Sequence, residues 1–237
     1  MTTITRTRQE QRGDHSLSPS NARLRAASVA LAPAVLLAGF VYHPYIANPI
    51  DEAAVADALV SDTTRWGISH LLVAVGSGLA ALAFLALRGY LRDAGEERRS
   101  AVALPLVVMG STLFALLPAM EIGALSAVEA GGNAETAQSE LRPWFLPILL
   151  AGGIVFALGV CFFAAGIARS RVLGVNSTRL VVGALVVMAA ARFVPLGAAL
   201  YVSGVAGIVA LWPLAYEMWR HPEAERTAGQ PRPMPAT

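Results

Sequence analysis

Two histidines, a glutamate and an arginine are the residues of this chain whose chemistry asks for a site: His43, His70, Glu121 and Arg192. Each closes or opens an apolar run, where a charged side chain costs roughly 2.5–3.5 kcal/mol on insertion scales and needs a partner. Two imidazoles and a carboxylate are a ligand set for zinc or another divalent metal. Two imidazoles on adjacent helices could instead ligate a haem. A histidine near a partly buried glutamate could relay protons around neutral pH. No His-x-x-x-His or His-Glu-x-x-His spacing demands a metal, so no cofactor is required and a metal or haem is the alternative. The weightier reading is structural: His43 and His70 anchor helix ends at the interface, and Glu121 pairs with Arg192 across two helices.

These residues must be positioned by membrane-spanning helices. The chain has 237 residues, 55% hydrophobic and only 14% charged, against about a quarter charged in an average soluble chain. Mean hydropathy is +0.56. Windows of roughly 20 apolar residues, the length a bilayer requires, recur along it. Such a composition excludes a soluble enzyme with a large core. The basic residues are all arginine, the net charge is +2, and no concentrated basic face marks a nucleic-acid partner. Cys161 is the single cysteine, without a disulfide or Cys-x-x-Cys partner, and reads as a small buried hydrophobe. There is no Gly-x-Ser-x-Gly elbow, no phosphate loop and no arginine-rich voltage-sensing span.

The fold class is therefore all-α, a polytopic transmembrane helix bundle. Six spans are expected at about 24–42, 68–87, 102–120, 145–167, 180–194 and 197–219, within a membrane domain over 23–220. Disordered cytoplasmic tails are expected over 1–22 and 221–237. The first apolar run continues into Tyr42-His43-Pro44 without a small-residue cleavage site and is expected to be retained. Pro33 predicts a kink whose freed carbonyl a neighbouring helix satisfies. In the acidic connection that follows, Ile50, Val55 and Leu59 stand at nearly helical spacing, which predicts a short amphipathic helix on the membrane surface.

Residues 180–219 are too long for one helix, and Arg192-Phe193-Val194-Pro195-Leu196-Gly197 predicts a turn that divides them. In the second span the small-residue pairs Ala74/Gly78, Gly76/Ala80 and Ser77/Ala81 predict close helix packing and a central place.

About fifteen of the arginines fall in the tails and in the loops after spans two and four; Arg65, Arg142 and Arg192 fall on the other side. Short basic loops stay cytoplasmic, so both termini are expected inside, which requires an even number of spans. Trp66, Trp144 and Trp219 fall at span ends, as in an aromatic belt. Setting Trp66 on Trp144 also aligns Leu71-Leu72 with Leu149-Leu150, a trace of an internal repeat.

A first span ending in His43-Pro44, an acidic connection and Trp66-Gly67-Ile68-Ser69-His70-Leu71-Leu72 opening the second span resemble uncharacterised bacterial integral membrane proteins of about this size. The resemblance covers the first third of the chain. It implies a bacterial cytoplasmic (inner) membrane setting and carries no assigned reaction. Three functions are expected in descending order: a non-catalytic membrane module that packs with itself or a membrane-protein partner, a small-ligand, proton or metal binding or transport protein, and a membrane-embedded enzyme.

Overall fold

A computed structural model describes residues 19–194 and 196–220. Among them there are seven α-helices and no strand: α1 (Pro19–Tyr42), α2 (Glu52–Ser61), α3 (Thr63–Asp93), α4 (Arg98–Glu129), α5 (Ala134–Ser170), α6 (Val175–Ala191) and α7 (Gly197–Arg220). Five of these, all but α2 and α6, are long and apolar enough to cross a membrane. In hydrocarbon a backbone must satisfy its own hydrogen bonds, and helices do so within one segment. Large apolar side chains also face outward, among them Leu82, Leu85, Leu158 and Val205, each about half exposed.

The expected spans lie inside longer helices. α1 begins at Pro19, so residues 19–22 are helical rather than tail; the remainder of both expected tails lies outside the described residues. α5 begins eleven residues before the expected Phe145, because Asn133 caps it by accepting from the Thr136 amide at 2.9 Å. The same device starts α3, where Asp62 accepts from the Arg65 amide at 2.9 Å. At α4 the cap comes from Glu96, which accepts from Arg99 and Ser100 amides at 2.8 and 3.1 Å. The short helix expected near 50–60 is α2, and Val55, Ala56 and Leu59 bury its apolar face against the protein. The break expected within 180–219 falls between Ala191 and Gly197; Pro195 lies outside the described residues.

The six longer helices form a closed ring. Each packs on its neighbours in the chain, and α7 returns to α1, while α2 lies across α5 and the start of α3. The most extensive seam, α4 on α5, runs along Gly152, Gly159 and Gly166, spaced seven residues apart. A Cβ on Gly159 would stand 2.7 Å from the Val107 side chain and 2.8 Å from its amide nitrogen, so only glycine lets the backbones come this close. Gly110 answers from α4, where a Cβ would stand 2.6 Å from the Phe156 nitrogen. Of the pairs expected in the second span, Gly76/Ala80 is used: Gly76 receives Leu36 of α1 and Ala80 is buried. Gly78 faces open space, and α3 is one member of the ring rather than its centre.

Near Pro33, the Trp212 indole of α7 donates to the Ala30 carbonyl at 3.1 Å, a partner helix bonding to the turn before the proline. Arg23 of α1 stands 5.8 Å from the Trp219 ring of α7, which puts the start of the first helix and the end of the last at one end of the ring. Three sequence expectations are corrected. Cys161 is exposed on the ring's outer surface, not buried. Trp66 is 1% exposed, in the first turn of α3, while Trp144 is 71% exposed within α5; Trp66 is core rather than belt, and the two do not occupy equivalent places in a repeat.

Candidate functional site

The four residues singled out by their chemistry fall into three separate places. The first is built where α1 ends and α3 begins. Arg65 holds that junction by donating to the carbonyls of Tyr42 and His43, which the helix end leaves without partners. This brings His43 against the first turns of α3, and three rings meet there. Their centroids are 4.9 Å apart for His43 and His70, 4.9 Å for His43 and Trp66, and 4.5 Å for Trp66 and His70.

Each imidazole is fixed by a carbonyl: Nδ1 of His43 lies 2.6 Å from the Pro44 oxygen, and Nδ1 of His70 lies 2.7 Å from the Trp66 oxygen. A carbonyl only accepts, so both Nδ1 atoms carry the proton, and in the neutral ring each Nε2 keeps a lone pair. Trp66 Nε1 is buried without an acceptor among the described residues. Burial pushes the His43 imidazole below its ordinary 6.5; the Pro44 hydrogen bond raises it and the Arg65 charge lowers it further.

Two lone-pair nitrogens are half of a zinc site, which takes at least three protein ligands. Among the described residues no group of three His, Cys, Asp or Glu side chains comes together to complete one. The edge-to-face contact of the two rings leaves no gap for a porphyrin plane between axial imidazoles. The pair does not fit a haem.

Glu121 belongs to a second place, between α2, α4 and α5. Its carboxylate accepts a hydrogen bond from Gln138 Nε2 at 2.8 Å, and both side chains are 6% exposed. The pair borders a cavity of about 50 Å³ together with Val55, Phe145, Glu52 and Arg142, the last two joined in an ion pair. That volume exceeds the roughly 10–15 Å³ one water requires. The expected Glu121–Arg192 pair does not form: Gln138 is the partner of Glu121, and Arg192 is in no ion pair among the described residues. The reason is depth. Arg192 packs on Phe114, which lies one heptad below Glu121 in α4, about 10 Å along the axis at 1.5 Å per residue.

Gln138 and Arg142 were not among the residues the sequence singled out. Their spacing of four, continued by Phe145 and Leu146, is one helix face and was a readable signal. It was obscured because the apolar window opens only at Phe145, placing both in a loop.

Arg192 is the third place. It caps the C-terminus of α6 inside the ring, with its guanidinium carbon 4.4 Å from the Phe114 centroid and 4.0 Å from the Phe156 centroid. Cation–π contact of this kind contributes about 0.5–2 kcal/mol each. Its Nη1 is nevertheless buried without a hydrogen-bond partner among the described residues.

No family model, no curated protein and no solved structure matches this chain.

Proposed function

We propose that this chain is a non-catalytic integral membrane module of the bacterial cytoplasmic membrane, working through the lipid bilayer and through association with a second copy or a membrane-protein partner. One observation carries this reading: the residues a catalytic site would need stand in three separate places, most of them engaged by neighbours within the bundle. The resemblance of the first third to bacterial membrane proteins without an assigned reaction is consistent with it. Six spans with both termini cytoplasmic are supported by the closed alternating ring, by Arg23 meeting Trp219, and by arginines at that end opposite Asp51, Glu52, Asp57 and Glu129. α6, at 17 residues, reaches only about 26 Å against a hydrocarbon core of roughly 30 Å, so its crossing relies on the ring around it. Mass measurement in mild detergent, with crosslinking in native membranes, tests the module. A defined oligomer or one stoichiometric partner is expected; a monomer with no crosslinked species would overturn it.

A second reading, binding or transport of a small ligand or proton, is favoured by the Glu121–Gln138 cavity and its position near the end where His43 and His70 also lie. Sodium, ammonium and zinc are the probes. A stabilisation by one of them that disappears in Glu121→Gln would establish it, and identical behaviour of wild type and variant would end it. An enzyme is the third reading and has the least support, since no nucleophile with an adjacent base stands among these residues.

A further inference from the structure

We propose that Arg192 is the receptor for a single small monovalent anion, of the size of chloride, held inside the helix ring. Three observations converge on it. Arg192 borders a partly open cavity of about 20 Å³, room for one water. The cavity is walled by α1, α3, α5, α6 and α7 through Pro33, Leu36, Phe84, Phe156, Met188 and Gly204, and no carboxylate is among its lining residues. The guanidinium rests over Phe114 and Phe156, whose π faces attract its charge but offer no lone pair to its N–H groups, and Nη1 is left buried without an acceptor among the described residues.

Among the described residues Ser203 carries the one hydroxyl on this cavity; its Oγ donates to the Met188 carbonyl at 3.0 Å, tying α7 to α6, and although its lone pairs are free to accept, Arg192 Nη1 makes no hydrogen bond to it. An arginine stays charged in a protein, so the missing partner is negative or, at the least, an acceptor. The cavity's size excludes a carboxylate-bearing metabolite or a phosphate and admits one monatomic ion. One positive charge matched by one negative charge leaves the ring's interior neutral, as an intramembrane charge requires.

The full-length protein in detergent would be heated in sodium chloride and in sodium gluconate at equal ionic strength. Ligand that binds only the folded state raises Tm in proportion to the logarithm of its concentration once saturating. A chloride-dependent rise in wild type that is absent in Arg192→Gln supports the site. Equal Tm in the two salts for wild type, or the same chloride increment in the variant, overturns it. Should Arg192→Gln not fold, wild-type crystals grown in bromide decide the matter. An anomalous peak beside Arg192 supports the site, and a water or nothing there overturns it.

Discussion

At the scale of single residues, the junction of α1 and α3 is held by rings and carbonyls rather than by charge. Trp66 is fully buried between two imidazoles, and removing it to alanine is expected to cost about 3–5 kcal/mol, as for other large buried aromatics. Denaturant unfolding in detergent micelles reads this directly. His43 adds a pH dependence. Because burial places its folded-state value below 6.5, the unfolded chain binds the extra proton first, so its contribution is complete above pH 6.5 and is lost as pH falls through the lowered value. Tm should therefore fall on acidification from pH 7, with a shallower slope in His43→Phe; equal slopes would contradict the burial. Glu121 offers a third contrast. Glu121→Gln still accepts from Gln138 and should be nearly neutral, whereas Glu121→Leu strands a buried amide at about 1–3 kcal/mol. The polar types were legible along the chain, but their partners were not, since Gln138 and Phe114 reach Glu121 and Arg192 only through helix packing.

At the scale of elements, glycine placement decides how closely helices approach. Gly159→Val puts a side chain onto the Val107 backbone and is expected to cost about 1–3 kcal/mol or more, because the α4–α5 seam must open. Gly183→Ala on α6 is the control: nothing lies within 4 Å of its added Cβ, and alanine is the better helix former by about 0.5–1 kcal/mol. Thermal unfolding of the two variants should move in opposite directions. The seven-residue glycine spacing in α5 was present in the sequence, yet the small-residue cluster in α3 stood out more strongly. Density of small residues reports neither which face is used nor whether a partner helix stands opposite; Gly78, in open space, shows the difference.

At the scale of the whole molecule, the ring must alternate direction if all six longer helices cross the membrane. Reporter fusions test this. A fusion after residue 95 is expected to be cytoplasmic, and fusions after residues 131 and 194 to be outside; a cytoplasmic reporter after 194 would mean that α6 does not cross. Hydropathy alone determined that the described part of the chain is built of long apolar helices, because a segment of some twenty apolar residues has few other ways to satisfy its backbone in lipid. The connection helix and the break before Gly197 were also local, written in amphipathic spacing and in turn residues. Only the tertiary structure decided that α7 closes on α1, that Trp66 is core, and that His43 meets His70 while Glu121 and Arg192 lie apart. Those outcomes depend on helix rotation and axial offset, and a rotation of one residue, about 100° in a helix of 3.6 residues per turn, is enough to exchange a buried face for a lipid-facing one.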